Sequence, residues 1–70
     1  MSKKPRNDAY PSPLAVDITA AREAAGLTQT EAANIIKASQ QAWQHWEAGD
    51  REMHPAFWDL FKIKIARNLR

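Results

Sequence analysis

Apolar side chains recur every three or four residues in four successive segments of the chain, which is the spacing of one face of an α-helix. No segment has the strict alternation of a half-buried β-strand, and no internal repeat is present. The pattern therefore predicts an all-α fold, a small bundle of four helices joined by short links. In the first segment the residues at helical spacing are Leu14, Ile18, Ala21, Arg22 and Ala25.

The first helix has two alternative starts and one clear end. Ser12 before Pro13 suits an N-cap followed by the first helical residue, whereas a start at Asp17 would give a shorter helix. Gly26 tolerates a left-handed backbone and would end the helix. Residues 1–12 contain two prolines, three basic residues and few large apolar groups. We therefore expect a flexible basic N-terminal arm over residues 1–12 and a single domain over residues 13–70.

The second and third helices are separated by a very short link. Thr28 and Glu31 have the spacing of a capping box, so a helix of eight or nine residues should follow Thr28. Ser39 is suited to cap the next helix after the link Lys37-Ala38, and Gly49 is placed to end it. Two short helices joined in this way are typical of a helix-turn-helix. The apolar side of the second helix consists of Ala32, Ala33, Ile35 and Ile36.

The third helix, Ser39 to Glu47, has two contrasting faces. Its apolar face is mostly indole, since Trp43 and Trp46 lie on the same side as Ala42, and we expect both rings in the core. The opposite face holds amide and imidazole groups with no charged residue. It is either a neutral solvated face or a surface that reads a partner by hydrogen bonding. The residues of this polar face are Gln40, Gln41, Gln44 and His45.

A loop from Glu47 to His54 leads to a last helix, which Pro55 opens. Its apolar residues outnumber those that one inward face needs. Phe57, Leu60 and Phe61 would fill that inward face. A second stripe is as consistent with a subunit interface as with the core, and it consists of Trp58, Phe61, Ile65 and Leu69.

Length and charge limit the function classes. At 70 residues without cysteine the chain has room for one small core and no disulfide, and no stretch resembles a membrane span or secretory signal, so a cytoplasmic protein is expected. Residues 13–61 carry three basic and seven acidic residues, a net charge of −4, whereas residues 62–70 carry +4. A DNA-binding protein with this pattern needs its ends or a second copy to supply much of the attraction to phosphate.

The segment REAAGLTQTEAANIIKASQQAWQHWEAGDR, Arg22 to Arg51, resembles the Cro-type (Xre-like) helix-turn-helix family of phage and bacterial repressors. The most specific parts are GLTQ at residues 26–29, followed by Glu31 and Ala33, and WE before Gly49. The resemblance implies a DNA-binding protein whose third helix lies in the major groove. Many relatives have a fifth helix, so a five-helix bundle is the alternative to four.

The resemblance also implies roles at matching positions. Gln40, Gln41, Gln44 and His45 would face base edges, where a glutamine amide can pair with adenine. Gln29 would contact a phosphate and brace the glutamine that opens helix three. Arg22 and Glu47 would form an ion pair between helices one and three. Contacts to the DNA backbone are expected from Gln29, Lys37, Ser39, Arg51, Lys3 and Lys4, although Lys3 and Lys4 belong to an arm that would otherwise be a solubilising tail.

Two departures from the family pattern raise structural questions. Lys37 stands where a glycine is common, so it adopts a strained left-handed conformation or the turn differs. Trp43 and Trp46 are larger than usual for the family, while Ala32 and Ala38 are smaller, which predicts compensating volumes in one repacked core.

The function expected is that of a homodimeric repressor (autoregulator) that blocks a promoter by binding a palindromic operator in double-stranded DNA. Phage Cro-like regulators, antitoxins and anti-CRISPR-associated regulators all remain open. The alternative is a protein-interaction module or antitoxin component that docks on a protein such as a toxin, which the acidic middle favours. Neither an enzyme activity nor a cofactor is expected. A metal site at His45, Glu47 and His54 is not expected either, because thiolates are absent and Glu47 has a competing role.

Overall fold

The computed structural model describes residues 12–68, and within this range the chain forms four α-helices and no strand. They are α1 (Ala15–Ala24), α2 (Gln29–Ile35), α3 (Gln40–Ala48) and α4 (Pro55–Asn68). The all-α fold with a helix-turn-helix is thereby confirmed, and α2 is shorter than predicted, at seven residues. No helix in the described range is long and apolar enough to cross a membrane.

Helix α1 begins at neither of the two predicted starts. Leu14 is its N-cap, in an extended conformation, and its carbonyl oxygen accepts from the backbone N–H groups of Asp17 and Ile18. Leu14 provides no side-chain cap, so Asp17 in the first turn is the acidic group that favours this helix end. The predicted end is correct, since Gly26 follows with a φ of 75°.

The caps around the helix-turn-helix agree with the sequence prediction. The Glu31 amide donates to the Thr28 hydroxyl oxygen (3.1 Å), and the Thr28 amide donates to a Glu31 carboxylate oxygen (2.8 Å), which completes the capping box. Ser39 caps α3 by accepting from the Ala42 amide at 3.0 Å. Lys37 takes the left-handed alternative, with a φ of 63°. The caps fix where α2 and α3 begin, and the left-handed Lys37 lies in the link that turns the chain between them.

Helix α3 extends beyond the predicted start of the loop at Glu47. It ends at Ala48, and Gly49 closes it in a left-handed conformation with a φ of 87°. The predicted loop from Glu47 is therefore wrong at its start, because Glu47 is still helical. Pro55 does open α4, as predicted.

The core is built around one tryptophan and the elements that enclose it. Trp43 is fully buried, with its ring centroid 4.9 Å from that of Phe61 and 5.7 Å from that of Trp46. Ala33, on α2, is also buried and belongs to the same core cluster. Met53 is fully buried as well, and nothing in the helical periodicity pointed to it because it lies in the loop before α4.

The assignment of residues to the faces of α4 needs correction. Phe61 was predicted both for the inward face and for the stripe offered as a subunit interface; it is fully buried against Trp43, so it belongs to the core and cannot form the interface. Trp58 and Ile65 are partly buried against the same core. Leu69 lies outside the described residues. Instead, the apolar side chains of α4 that stay exposed are Phe57 (42%), Leu60 (38%) and Ile63 (54%), although the first two were predicted to point inward.

Candidate nucleic-acid interface

The polar face of α3 is exposed over its whole length. Gln40, Gln41, Gln44 and His45 are all exposed, whereas Trp43 and Trp46, on the other face, are 0% and 7% exposed. Aromatic packing on the inner side determines this orientation, because rotating α3 would expose both indoles. The outer side therefore presents three carboxamides and an imidazole.

His45 has a charged neighbour that the sequence prediction missed. Its Nδ1 lies 3.3 Å from a carboxylate oxygen of Asp50, just beyond the glycine that ends α3. This contact engages Nδ1, and Nε2 makes no hydrogen bond within residues 12–68. The signal in the sequence was an acidic residue directly after the Gly49 cap.

Glu47 holds α3 to the other helices of the motif. The Arg22 guanidinium on α1 donates to both carboxylate oxygens of Glu47, at 2.6 and 3.2 Å. Gln29 on α2 donates its amide N–H to Glu47 at 3.1 Å, and the Trp43 indole N–H donates to the same carboxylate. The structure thus brings Arg22 and Glu47 together and adds two partners that connect α2 and the buried tryptophan.

The electrostatics of Glu47 follow from these contacts. Its side chain is only 8% exposed, and burial alone would raise its pKa. Hydrogen bonds from Arg22, Trp43, Gln29 and Thr19 outweigh burial and lower the pKa of Glu47 to about 2. The same hydrogen bond to Glu47 raises the pKa of Arg22 above its ordinary value. The pair is therefore ionised at neutral pH.

Exposed cations are scarce near α3. Arg22 is paired and its side chain is 15% exposed, which leaves Lys37 and Arg51 as the exposed basic residues of the segment 13–61. They lie just before and just after α3. Ser39 is exposed at the start of the helix, where it serves as the cap. Lys3 and Lys4, expected to contact the DNA backbone, lie outside the described residues.

The residues considered as metal ligands do not come together. Within residues 12–68 no group of three or more histidine, aspartate or glutamate side chains is placed to hold a metal ion. The Glu47 carboxylate is engaged by Arg22, and the Nδ1 of His54 accepts from the Ala56 amide at 3.0 Å near the start of α4.

Helices α2 and α3 are short, a tight link joins them, and the polar face of α3 is exposed. These features define the chain as a helix-turn-helix protein. A family described as "Helix-turn-helix domain" matches residues 13–61, so the chain belongs to that family, and the resemblance to Cro-type (Xre-like) proteins is confirmed. The chain is also similar to the type II methyltransferase M.MspI of a Moraxella species, with 46% identity over 39 residues. That match covers 56% of this chain but 9% of the methyltransferase.

Proposed function

We propose that this chain is a sequence-specific DNA-binding regulator that places α3 in the major groove. The observation that carries the proposal is the exposed, uncharged row of Gln40, Gln41, Gln44 and His45 on a helix fixed by its buried indoles. Glutamine amides can both donate and accept, so each can form two hydrogen bonds with the edge of an adenine. One good pair of this kind gives about 1–3 kcal/mol of discrimination against a wrong base.

More specifically, we propose that the chain regulates transcription as a homodimeric repressor. A dimer would place two copies of α3 in successive major grooves of a palindromic operator and would also double the number of basic residues facing the duplex. The exposed row of Phe57, Leu60 and Ile63 on α4 supports a subunit contact there. Such a protein would act in the cytoplasm, where it would block a promoter, including that of its own gene.

A protein-interaction role is the second proposal, favoured by the net charge of −4 over residues 13–61. In this role the helical core would dock on a partner protein such as a toxin. We propose no enzyme activity, because the similarity to a methyltransferase extends over only 39 residues.

The test is a gel shift with DNA from upstream of the chain's own gene, beside a shuffled duplex of equal composition. Sharp shifts of the upstream fragment at nanomolar to micromolar protein, weakening steeply between about 50 and 200 mM salt, are expected. Equal retention of both duplexes would argue against base readout. Absence of any salt-sensitive retention, together with a stable complex with a co-expressed neighbour, would favour the protein-interaction role.

A further inference from the structure

Three helix ends in the described range pass through a left-handed residue. Two of them use glycine, Gly26 after α1 with a φ of 75° and Gly49 after α3 with a φ of 87°. The third, after α2, uses Lys37 with a φ of 63°. Glycine, the residue that adopts this conformation most easily, therefore follows two of the helices, whereas lysine follows the third.

Lysine has a conformational cost at this position that glycine would not have, because its Cβ crowds the backbone when φ is positive. The local backbone is otherwise a regular helix end, with the Lys37 amide donating to the Asn34 carbonyl (3.1 Å) and the Ala38 amide donating to the Ala33 carbonyl (2.9 Å). Both donors are backbone groups that a glycine at position 37 would keep. The lysine side chain is exposed and makes no hydrogen bond or ion pair within residues 12–68. No hydrogen bond or ion pair in residues 12–68 therefore depends on lysine at this position.

Lys37 lies next to the helix proposed to bind DNA. It lies two residues before Ser39, the cap of α3, and Arg51 lies two residues beyond Gly49 at the other end of α3. Arg22, the remaining basic residue of the segment 13–61, is engaged by Glu47. The two exposed cations of an otherwise acidic segment thus bracket the helix proposed to enter the groove, where a DNA backbone would pass.

We propose that Lys37 is a phosphate-binding anchor whose strained backbone is kept at the expense of fold stability. This inference rests on the proposed DNA-binding function. It adds that, at position 37, the residue that strengthens DNA binding lowers the stability of the fold. Glycine there would make a more stable domain that binds DNA less tightly.

Three substitutions separate strain from charge. Lys37→Gly removes both, Lys37→Gln removes the charge and keeps the strain, and Lys37→Arg keeps both. Thermal unfolding and binding to a mixed-sequence duplex over about 50 to 200 mM salt are measured for each.

Lys37→Gly should melt about 4 °C or more above the parent, since a conformational strain is relieved in a small domain. Lys37→Gly and Lys37→Gln should both bind the duplex about five- to tenfold more weakly near 0.1 M salt, and the slope of log affinity against log salt should fall by about 0.9. Lys37→Gln should melt near the parent, and Lys37→Arg should match the parent in both measurements.

Two results would overturn the inference: Lys37→Gln binding with the affinity and salt slope of the parent, or Lys37→Gly melting no higher than the parent. In each case a parent protein that binds DNA leaves the proposed function standing. A parent without salt-dependent DNA binding would instead contradict the proposed function itself.

Discussion

Gln40 is the first residue of α3 and one of the four side chains proposed to meet base edges. It is exposed, and the cap of the helix is provided by Ser39, so truncating Gln40 removes an amide without removing a structural contact of the core. This separation makes position 40 suitable for testing readout apart from folding.

We predict that Gln40→Ala weakens binding to the preferred duplex by about 1–3 kcal/mol while binding to a shuffled duplex is unchanged. Circular dichroism should be the same for variant and parent. An equal loss on both duplexes would mean that Gln40 contributes to general affinity and not to base recognition.

Several residue-scale features depend on neighbours that are remote in sequence and could not be predicted from it. The Arg22–Glu47 contact was expected from the family resemblance, but the bond from Gln29 to Glu47 was not. Gln29 was expected to contact a phosphate and brace Gln40. In the described residues its amide N–H donates to the Glu47 carboxylate, and only the meeting of three helices determines that geometry.

At the scale of elements, Glu47 joins α3 to α1 through Arg22 and to α2 through Gln29. Both side chains of the pair are largely buried. Without Glu47, Arg22 would therefore keep a buried charge that nothing compensates. We predict that Glu47→Ala costs about 3–5 kcal/mol of unfolding free energy, enough to unfold much of a domain this small.

The matched control for Glu47→Ala is Glu23→Ala. The Glu23 carboxylate also approaches Arg22, at 3.8 Å, but its side chain is 67% exposed. Its loss should therefore cost less than about 1 kcal/mol. If Glu47→Ala melted within a degree or two of the parent, the ion pair would not hold these helices together.

The low pKa of Glu47 predicts how stability changes with acid. The folded pKa, about 2, lies below the ordinary value of 4.5, so this stabilisation is complete above pH 4.5 and is lost as the pH falls towards 2. A shift of this size corresponds to about 3 kcal/mol. In denaturant titrations from pH 6 to 2, Glu47→Gln should start less stable and fall less steeply than the parent, and parallel curves would contradict the shift.

The starts of α2 and α3 were predictable because capping residues act locally, as Thr28, Glu31 and Ser39 show, whereas α1 has no side-chain cap and its start was not predicted. The faces of α4 were not predictable, because apolar residues occur almost all around it and periodicity alone selects no inward side. The contact of Phe61 with Trp43 selects that side. Met53 was missed for a related reason, since a loop residue has no helical spacing to reveal its burial.

At the scale of the whole molecule, the exposed row of Phe57, Leu60 and Ile63 is the proposed contact between two copies. We predict that Leu60→Lys shifts the protein towards the monomer in analytical ultracentrifugation, because it places a charge in an apolar contact. Val16→Lys is the matched control, since Val16 is 67% exposed on α1, and it should leave the assembly state unchanged. A parent that sediments as a monomer would contradict the dimer, and equal effects of both variants would contradict the position of the contact.

The orientation of α3 is the central claim, and an isotope-labelled protein titrated with its DNA fragment tests it most directly. In proton–nitrogen correlation spectra, the side-chain amides of Gln40, Gln41 and Gln44 should shift strongly on binding. The indole N–H of Trp43, bonded to Glu47 in the core, should stay nearly constant. Unchanged glutamine amides, with the largest shifts in α4 instead, would contradict the account.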